Sequence, residues 1–522
     1  MMADRSGVYG EVLMEDCLQG LASGRRDDDQ RLLAQVHPAG WVSPRPASMY
    51  NLVVIGAGTA GLISAAACAA LGGKVALVER HLMGGDCLNT GCVPSKCLIR
   101  SSRAAAEMAG ASCFGLRPGQ VSPADFPAVM ERLRRLRADI SHNDSAHRFK
   151  AMGVDVFFGS ASFADRGTVS VDGVDLHFRR AIIAAGARAV HPEIAGLNAA
   201  GFLTSETVFD LTELPGRLAV VGGGPIGCEL AQAFARLGSA VTLIQHSRFL
   251  PREDAEASDV LARVFRREGI RVLLDARLLT VKKTDAGREI TVRTGGQEET
   301  IAVDRILIGA GRAPNVEGLG LEKAGVAYDS RRGVLVDDFL RTTNAAVFAA
   351  GDICMDWKFT HAADAAARIA VQNALFRGRK RLSRLNMPWC TYTSPEIAHV
   401  GLSEAGAEAR GMAVDTYRVG LDEVDRALVD GESEGFVKVL VRRGTDRILG
   451  ATIVGSHAGD LINEISVAMA GKVGLKKLAD IIHPYPTQAE AIRRVAAAYN
   501  RTRLTPPVAA ALKWWLKWQR KG

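Results

Sequence analysis

Residues 51–73 read NLVVIGAGTAGLISAAACAALGG. They carry no charge and are long enough to cross a bilayer, but their glycines point elsewhere. Gly56, Gly58 and Gly61 form G-x-G-x-x-G where a short apolar strand turns into a small-residue helix. The first allows the tight turn, the second lets backbone approach a pyrophosphate, and the third lets the helix pack closely on the strand. KVALVER follows and brings Glu79 to the end of a second strand, where a carboxylate accepts hydrogen bonds from a ribose diol. The stretch therefore predicts a strand–turn–helix–strand unit that binds a dinucleotide with a free 2′-hydroxyl.

A nearly identical unit returns about 165 residues later: LAVVG, GGPIGCELAQAFARLG and AVTLIQH, with Gly222, Gly224 and Gly227 in the turn. Its second strand runs into Gln245, His246, Ser247 and Arg248 without an acid. A carboxylate there would repel a 2′-phosphate, whereas Arg248 can pair with one, so NADPH is favoured and NADH is the alternative.

GGDCLNTGCVPSK, residues 84–96, lies directly after the first unit. In a regular helix Cys87 and Cys92 would be separated by about 7.5 Å of rise, beyond the Cα separation of a disulfide. Thr90 and Gly91 allow the chain to bend, and Pro94 suits the start of a regular helix afterwards. A redox pair is thus feasible, while a closed zinc site would need a second pair of ligands that is not nearby.

The rest of the 522 residues sets limits. Hydrophobic residues make 48% and charged residues 23%, with 54 glycines, as expected of a multi-domain globular protein. The net charge is +8, but no helix-turn-helix, zinc-finger or RNP-like pattern accompanies it, which argues against nucleic-acid binding. Nine cysteines without regular spacing do not suggest a secreted disulfide scaffold. The N-terminus has no apolar core of signal-peptide type, so the expected location is the cytoplasm.

With two dinucleotide fingerprints, CxxxxC, the VFAAGD segment and a late change of texture in this order, residues 50–500 resemble the pyridine nucleotide-disulfide oxidoreductases. ELAQAFARLGS, REGIRVL and DEVDRALVDGESEGFVKV are similar to the mercuric reductase-like members. The resemblance implies an α/β fold with two Rossmann-like domains and a C-terminal α+β dimerisation domain. Its expected divisions are an extension at 1–49, FAD-binding parts at 50–190 and 321–387, an NAD(P)-binding domain at 191–320, a dimerisation domain at 388–500, and a basic, Trp-rich tail at 501–522. The extension reads as irregular, and 125–150 as one charged helix.

The same resemblance makes Cys92 the thiolate beside the flavin and Cys87 the thiol that meets the acceptor. It pairs Lys96 with Glu229 near the flavin, gives Asp352 to the ribityl chain, and places Gly311 beside the nicotinamide nucleotide. Electrons would run from NADPH through FAD to the dithiol and on to an acceptor: Hg(II), a disulfide or a quinone. The expected assembly is a homodimer in which Tyr485 and Glu490 reach the dithiol of the other subunit.

Two departures bear on the acceptor. Disulfide-reducing members carry HPTxxE, whose histidine protonates the leaving thiol. Here HPYPTQAE puts Tyr485 five residues before Glu490, and His483 two residues too early. A two-residue shift that restores His483 is the competing reading, and with it a glutathione reductase-like or dihydrolipoamide dehydrogenase-like activity. Mercuric reductases also end in a cysteine pair that hands over the metal, whereas this chain ends KWWLKWQRKG. Cys97, Cys113, Cys354 and Cys390 are candidate substitutes by elimination. The tail, with Trp514, Trp515 and Trp518 among lysines and arginines, either lies on a membrane surface, within reach of a quinone, or packs on the protein body.

Overall fold

The computed structural model describes residues 27–117 and 124–520; Cys17 and Lys521 lie outside them. The opening stretch forms strand Leu52–Ile55 and helix Thr59–Ala70, followed by strand Val75–Glu79. These strands sit inside a five-stranded parallel sheet, flanked by Ala181–Ile183 and Val347–Ala349 on one side and Val154–Phe158 on the other. Because strand side chains alternate between faces, each strand serves two cores. Leu52, Val54, Val75 and Leu77 pack under helices Thr59–Ala70 and Thr360–Phe376. Val53, Ile55, Ala76 and Val78 pack with Phe163, Val169 and Leu176 of a three-stranded antiparallel sheet. Strands buried on both faces read as unbroken apolar runs, as LVVI and VALV do.

The second unit forms a four-stranded parallel sheet in the order Arg271–Leu273, Ala240–Ile244, Arg217–Val221, Arg305–Ile308, with an antiparallel three-stranded sheet beside it in sequence. The chain then returns to the first sheet through Val347–Ala349. It ends in a five-stranded antiparallel sheet, Pro388–Thr391 to Ile448–Gly455, covered by helices Ala458–Ala470 and Glu490–Thr502. The chain is therefore α/β, with two Rossmann-like parallel-sheet units and a C-terminal α+β unit.

The expectation of an irregular extension fails over residues 27–36, while 37–49 carry no helix or strand. Asp27–Val36 is a helix whose Leu32 and Val36 enter the first core. Its Asp29 accepts a hydrogen bond from Arg137 Nη2 at 3.1 Å, and Arg137 Nη1 donates to Asn89 O at 3.0 Å. The main chain of Met83 donates to Val36 O at 3.1 Å. The extension thus braces both ends of the turn that carries Cys87. The segment 125–150 also differs from expectation, splitting into Phe126–Ser141, a short 3-10 turn and Ala146–Ala151, where the Ser145 side chain caps the last helix.

Both partners of the Asp29–Arg137 pair are shielded, with side chains 14% and 7% exposed. Removing one leaves an uncompensated buried charge. Asp29→Ala should lower stability by about 3 kcal/mol, read from urea unfolding; an unchanged midpoint would show the brace to be idle.

Candidate active site

The two cysteines are brought together by a break between helices. Gly85–Asn89 is a single turn that ends at Thr90 (φ −138°), and Gly91 (φ −126°, ψ −114°) starts the long helix Cys92–Ala109. A Cβ on Gly91 would lie 2.7 Å from Asp86 O and 3.3 Å from Cys87 Cα. Glycine is what lets the first turn fold onto the second. The long helix begins at Cys92, two residues earlier than Pro94 suggested, because a proline is tolerated anywhere in a first turn whose N–H groups lack helical partners.

Both cysteines are free thiols, Cys87 half-buried and Cys92 exposed. Cys87 donates a hydrogen bond to Cys92, and the Thr360 hydroxyl lies 3.3 Å from Cys92 Sγ. That bond from Cys87, chiefly, with help from Thr360 and Lys96, holds the Cys92 thiol down at about 6. The position at a helix N-terminus favours the same thiolate. The bond to Cys92, together with burial, pushes Cys87 up. At neutral pH the pair is therefore a thiolate beside a protonated thiol.

Lys96 lies one helical turn on from Cys92, with Nζ 2.8 Å from Glu229 Oε2 and 4.5 Å from the Tyr392 ring centre. Glu229 Oε1 accepts the Tyr392 main-chain N–H at 2.8 Å. Burial alone would lower Lys96, but Glu229 and then Cys92 outweigh it and raise it, so it stays a cation. Because that cation helps lower Cys92, Lys96→Met should move the pH midpoint of Cys92 alkylation upward by about one unit. Glu229→Gln should move it the other way, since its carboxylate raises Cys92. Equal midpoints in both variants would remove the pair from the electrostatics of the thiolate.

The first glycine turn has the shape of a phosphate cradle. A Cβ on Gly61 would lie 1.7 Å from Gly56 O, and one on Gly56 would lie 2.4 Å from Ala184 O, so no side chain fits between loop, helix and sheet. Glu79 is buried, and its carboxylate accepts N–H groups from Ala57 at 2.7 Å and His81 at 2.8 Å. It fixes the loop and keeps lone pairs for a ribose. Asp352 is mostly buried, its carboxylate lies 3.6 Å from Arg312 Nε while Lys358 Nζ donates to its main-chain oxygen at 2.8 Å, and burial raises its carboxyl. Arg312 Nε itself is a buried donor without a hydrogen-bond partner. Under-satisfied polar groups next to a cradle emptied of side chains fit FAD.

In the second turn Gly222 and Gly227 make the same close approaches, with virtual Cβ distances of 2.4 Å to Gly309 O and 1.9 Å to Gly222 O, and Gly224 is open. Gln245 Oε1 accepts the Gly223 N–H at 2.8 Å, so it ties the loop as Glu79 does, but without charge. Arg248 is exposed, and its Nη2 donates to Pro251 O at 3.0 Å and Glu253 O at 2.9 Å. It is already held by carbonyls rather than simply solvated. Gly311 has φ +115° with open space around it.

Tyr485 is 70% exposed, and its hydroxyl donates to Asp425 at 2.8 Å, which raises the phenol further. Glu490 is buried and accepts from Arg493 and Arg494. The His483 side chain is buried in its own domain, with Nε2 2.9 Å from Glu464 Oε1. No hydrogen bond or ion pair among the described residues joins Tyr485, Glu490 or His483 to the thiols of the same chain. Around them Ile482 and Val467 are 93% and 71% exposed, apolar surface of the kind a partner subunit covers.

Sequence reasoning missed Thr360, Arg312 and Asp86. Arg312 donates to Asp86, one residue before Cys87, and to Ala187 O at 2.6 Å. Its place directly after Gly311 was the available signal; Thr360, 268 residues from Cys92, gave none. Of the four substitute thiols, Cys97 lines a cleft of about 390 Å³ with Cys92, Lys96, Arg100 and Arg132. Burial raises Cys97 and pushes Cys354 up to about 12.

The sequence profile of the pyridine nucleotide-disulphide oxidoreductases matches residues 50–367, and that of their dimerisation domain matches 387–496. Mercuric reductase of Streptomyces lividans is 37% identical over 468 residues, 86% of this chain and 96% of that protein. Dihydrolipoyl dehydrogenase of Bacillus subtilis is 34% identical over 475 residues, 87% of this chain and 98% of that protein. The HOCl-induced flavoprotein disulfide reductase RclA of Escherichia coli superposes with a TM-score of 0.77 at 29% identity, over 86% of this chain and 99% of that one. Fold, paired cradles and dithiol turn thus agree with the profiles: the chain belongs to the pyridine nucleotide-disulphide oxidoreductases, enzymes that use FAD and NAD(P)H and carry a dimerisation domain.

Proposed function

We propose that this chain is an NADPH-dependent reductase of a thiophilic acceptor, Hg(II), reached directly through Cys87 in a homodimer. The observation that carries this reading is Tyr485. Its phenol is already a poor proton donor at neutral pH, and the bond to Asp425 raises it further. A disulfide needs a proton for each departing thiolate, whereas Hg(II) takes an electron pair and leaves as Hg(0) without one.

Bound FAD supplies the exchange between a two-electron hydride donor and the cysteine pair. The chain's own groups do the rest. Gly56, Gly58, Gly61, Glu79 and Asp352 hold FAD; Gly222, Gly224, Gly227, Arg248 and Gly311 receive NADPH, for which an uncharged Gln245 removes the repulsion a carboxylate would exert on a 2′-phosphate. Cys92 stays a thiolate, Lys96 and Glu229 fix the charge beside it, and Cys87 is the exchanging thiol. In balance, NADPH and Hg(II) give NADP⁺, H⁺ and Hg(0).

The test is an anaerobic NADPH titration of the purified holoprotein, then stopped-flow mixing with Hg(II), oxidised glutathione and a quinone, and a parallel assay of dihydrolipoamide with NAD. Fastest discharge by Hg(II) supports the proposal. Faster turnover of glutathione or dihydrolipoamide would replace it with the reading suggested by the dihydrolipoyl dehydrogenase relatives, and fastest discharge by the quinone would make the protein a quinone reductase.

A further inference from the structure

Beyond the last residue matched by the dimerisation profile, at 496, one further helix begins among the described residues, Pro506–Gln519, which buries none of its residues. Among residues 501–520 only Ala509 is less than exposed. Trp514 is 66% and Trp518 57% exposed, and the Trp515 and Trp518 rings lie 5.1 Å apart at 31°. At 3.6 residues per turn, Trp514, Trp518, Trp515, Val508, Leu512 and Leu516 share an apolar arc of roughly 200°. Arg520, Lys513 and Lys517 fall together in the remaining arc. From 501 to 522 there is no aspartate or glutamate.

We infer that this helix lies on an anionic lipid surface, with its tryptophans at the headgroup boundary and its lysines against lipid phosphates. Both faces are then satisfied at once. Indoles prefer the interface, basic side chains reach from it to phosphate, and each cation near such a surface adds to the attraction. A second copy of this basic chain offers no matching anionic strip in its own tail. Fourteen residues rise only about 21 Å, and no helix among the described residues is long and apolar enough to cross a membrane, so the contact is with one surface. The inference does not depend on the acceptor.

The test is flotation of the holoprotein with vesicles of equimolar phosphatidylcholine and phosphatidylglycerol, and with phosphatidylcholine alone, while tryptophan emission is followed. The expected result is binding with a blue shift on the anionic vesicles only. Binding should fall by at least about tenfold in Lys513→Glu/Lys517→Glu and be lost in Trp514→Ala/Trp515→Ala/Trp518→Ala, with NADPH turnover unchanged in both variants. Equal binding to both vesicle types, equal binding by the variants, or a tail that instead alters oligomer size without touching vesicles would each overturn the inference.

Discussion

Cys92→Ser should lower NADPH-driven reduction of any acceptor by at least about a thousandfold, while leaving flavin content and melting temperature close to those of the parent. Cys92 is exposed and hydrogen-bonded through its sulfur to Cys87 and Thr360, so its loss removes the reacting atom and little packing. The same residue carries a readout independent of turnover. Iodoacetamide reacts with thiolate and not thiol. In the reduced protein the alkylation rate at Cys92 should rise with pH through a midpoint near 6 and stay level above it. Cys87, pushed up by its bond to Cys92 and by burial, should react more slowly than Cys92 across that range. An ordinary thiol would show its midpoint at about 8.5. That value at Cys92 would mean the bond from Cys87 and the Lys96 charge do not stabilise the thiolate, and the division of labour within the pair would fall.

The features legible in sequence are those whose geometry is local. A glycine turn between strand and helix needs its three glycines within six residues, because loop, helix and neighbouring strand meet there with no room for a Cβ. The dithiol turn is equally local, since Gly91 and Cys87 touch across a few bonds. What stayed hidden depends on distant partners. The helix Asp27–Val36 is short and mostly polar, and isolated helices of that length are marginal. It is held by Asp29 on Arg137, 108 residues away, and by Leu32 and Val36 in the first core. Thr360 reaches Cys92 only because the chain returns to the first sheet after the second unit has been built. Arg248 shows the converse: its sequence context offered it to a 2′-phosphate, but the turn at 251–253 has already claimed one of its nitrogens through carbonyls.

The acceptor turns on one side chain, and Tyr485→His should change it. The surroundings of Tyr485 suit an imidazole, since the charge of Glu490 acts on this position and Glu490 Oε2 is buried without a hydrogen-bond partner. A carboxylate there can orient an introduced imidazole and raise its basicity. With a proton donor that titrates near neutrality, kcat/KM for oxidised glutathione should rise roughly a hundredfold. Its pH profile should gain a descending limb as the imidazolium deprotonates, while reduction of Hg(II), which needs no proton, stays within about twofold. Tyr485→Phe should leave both activities near their starting values. The control is His483→Gln. Its imidazole is bound to Glu464 inside its own domain, so the variant should not affect disulfide reduction. A collapse of that activity in His483→Gln, together with no gain in Tyr485→His, would mean that His483 reaches the other subunit's dithiol after all, and the chain would be a disulfide reductase with a displaced acid.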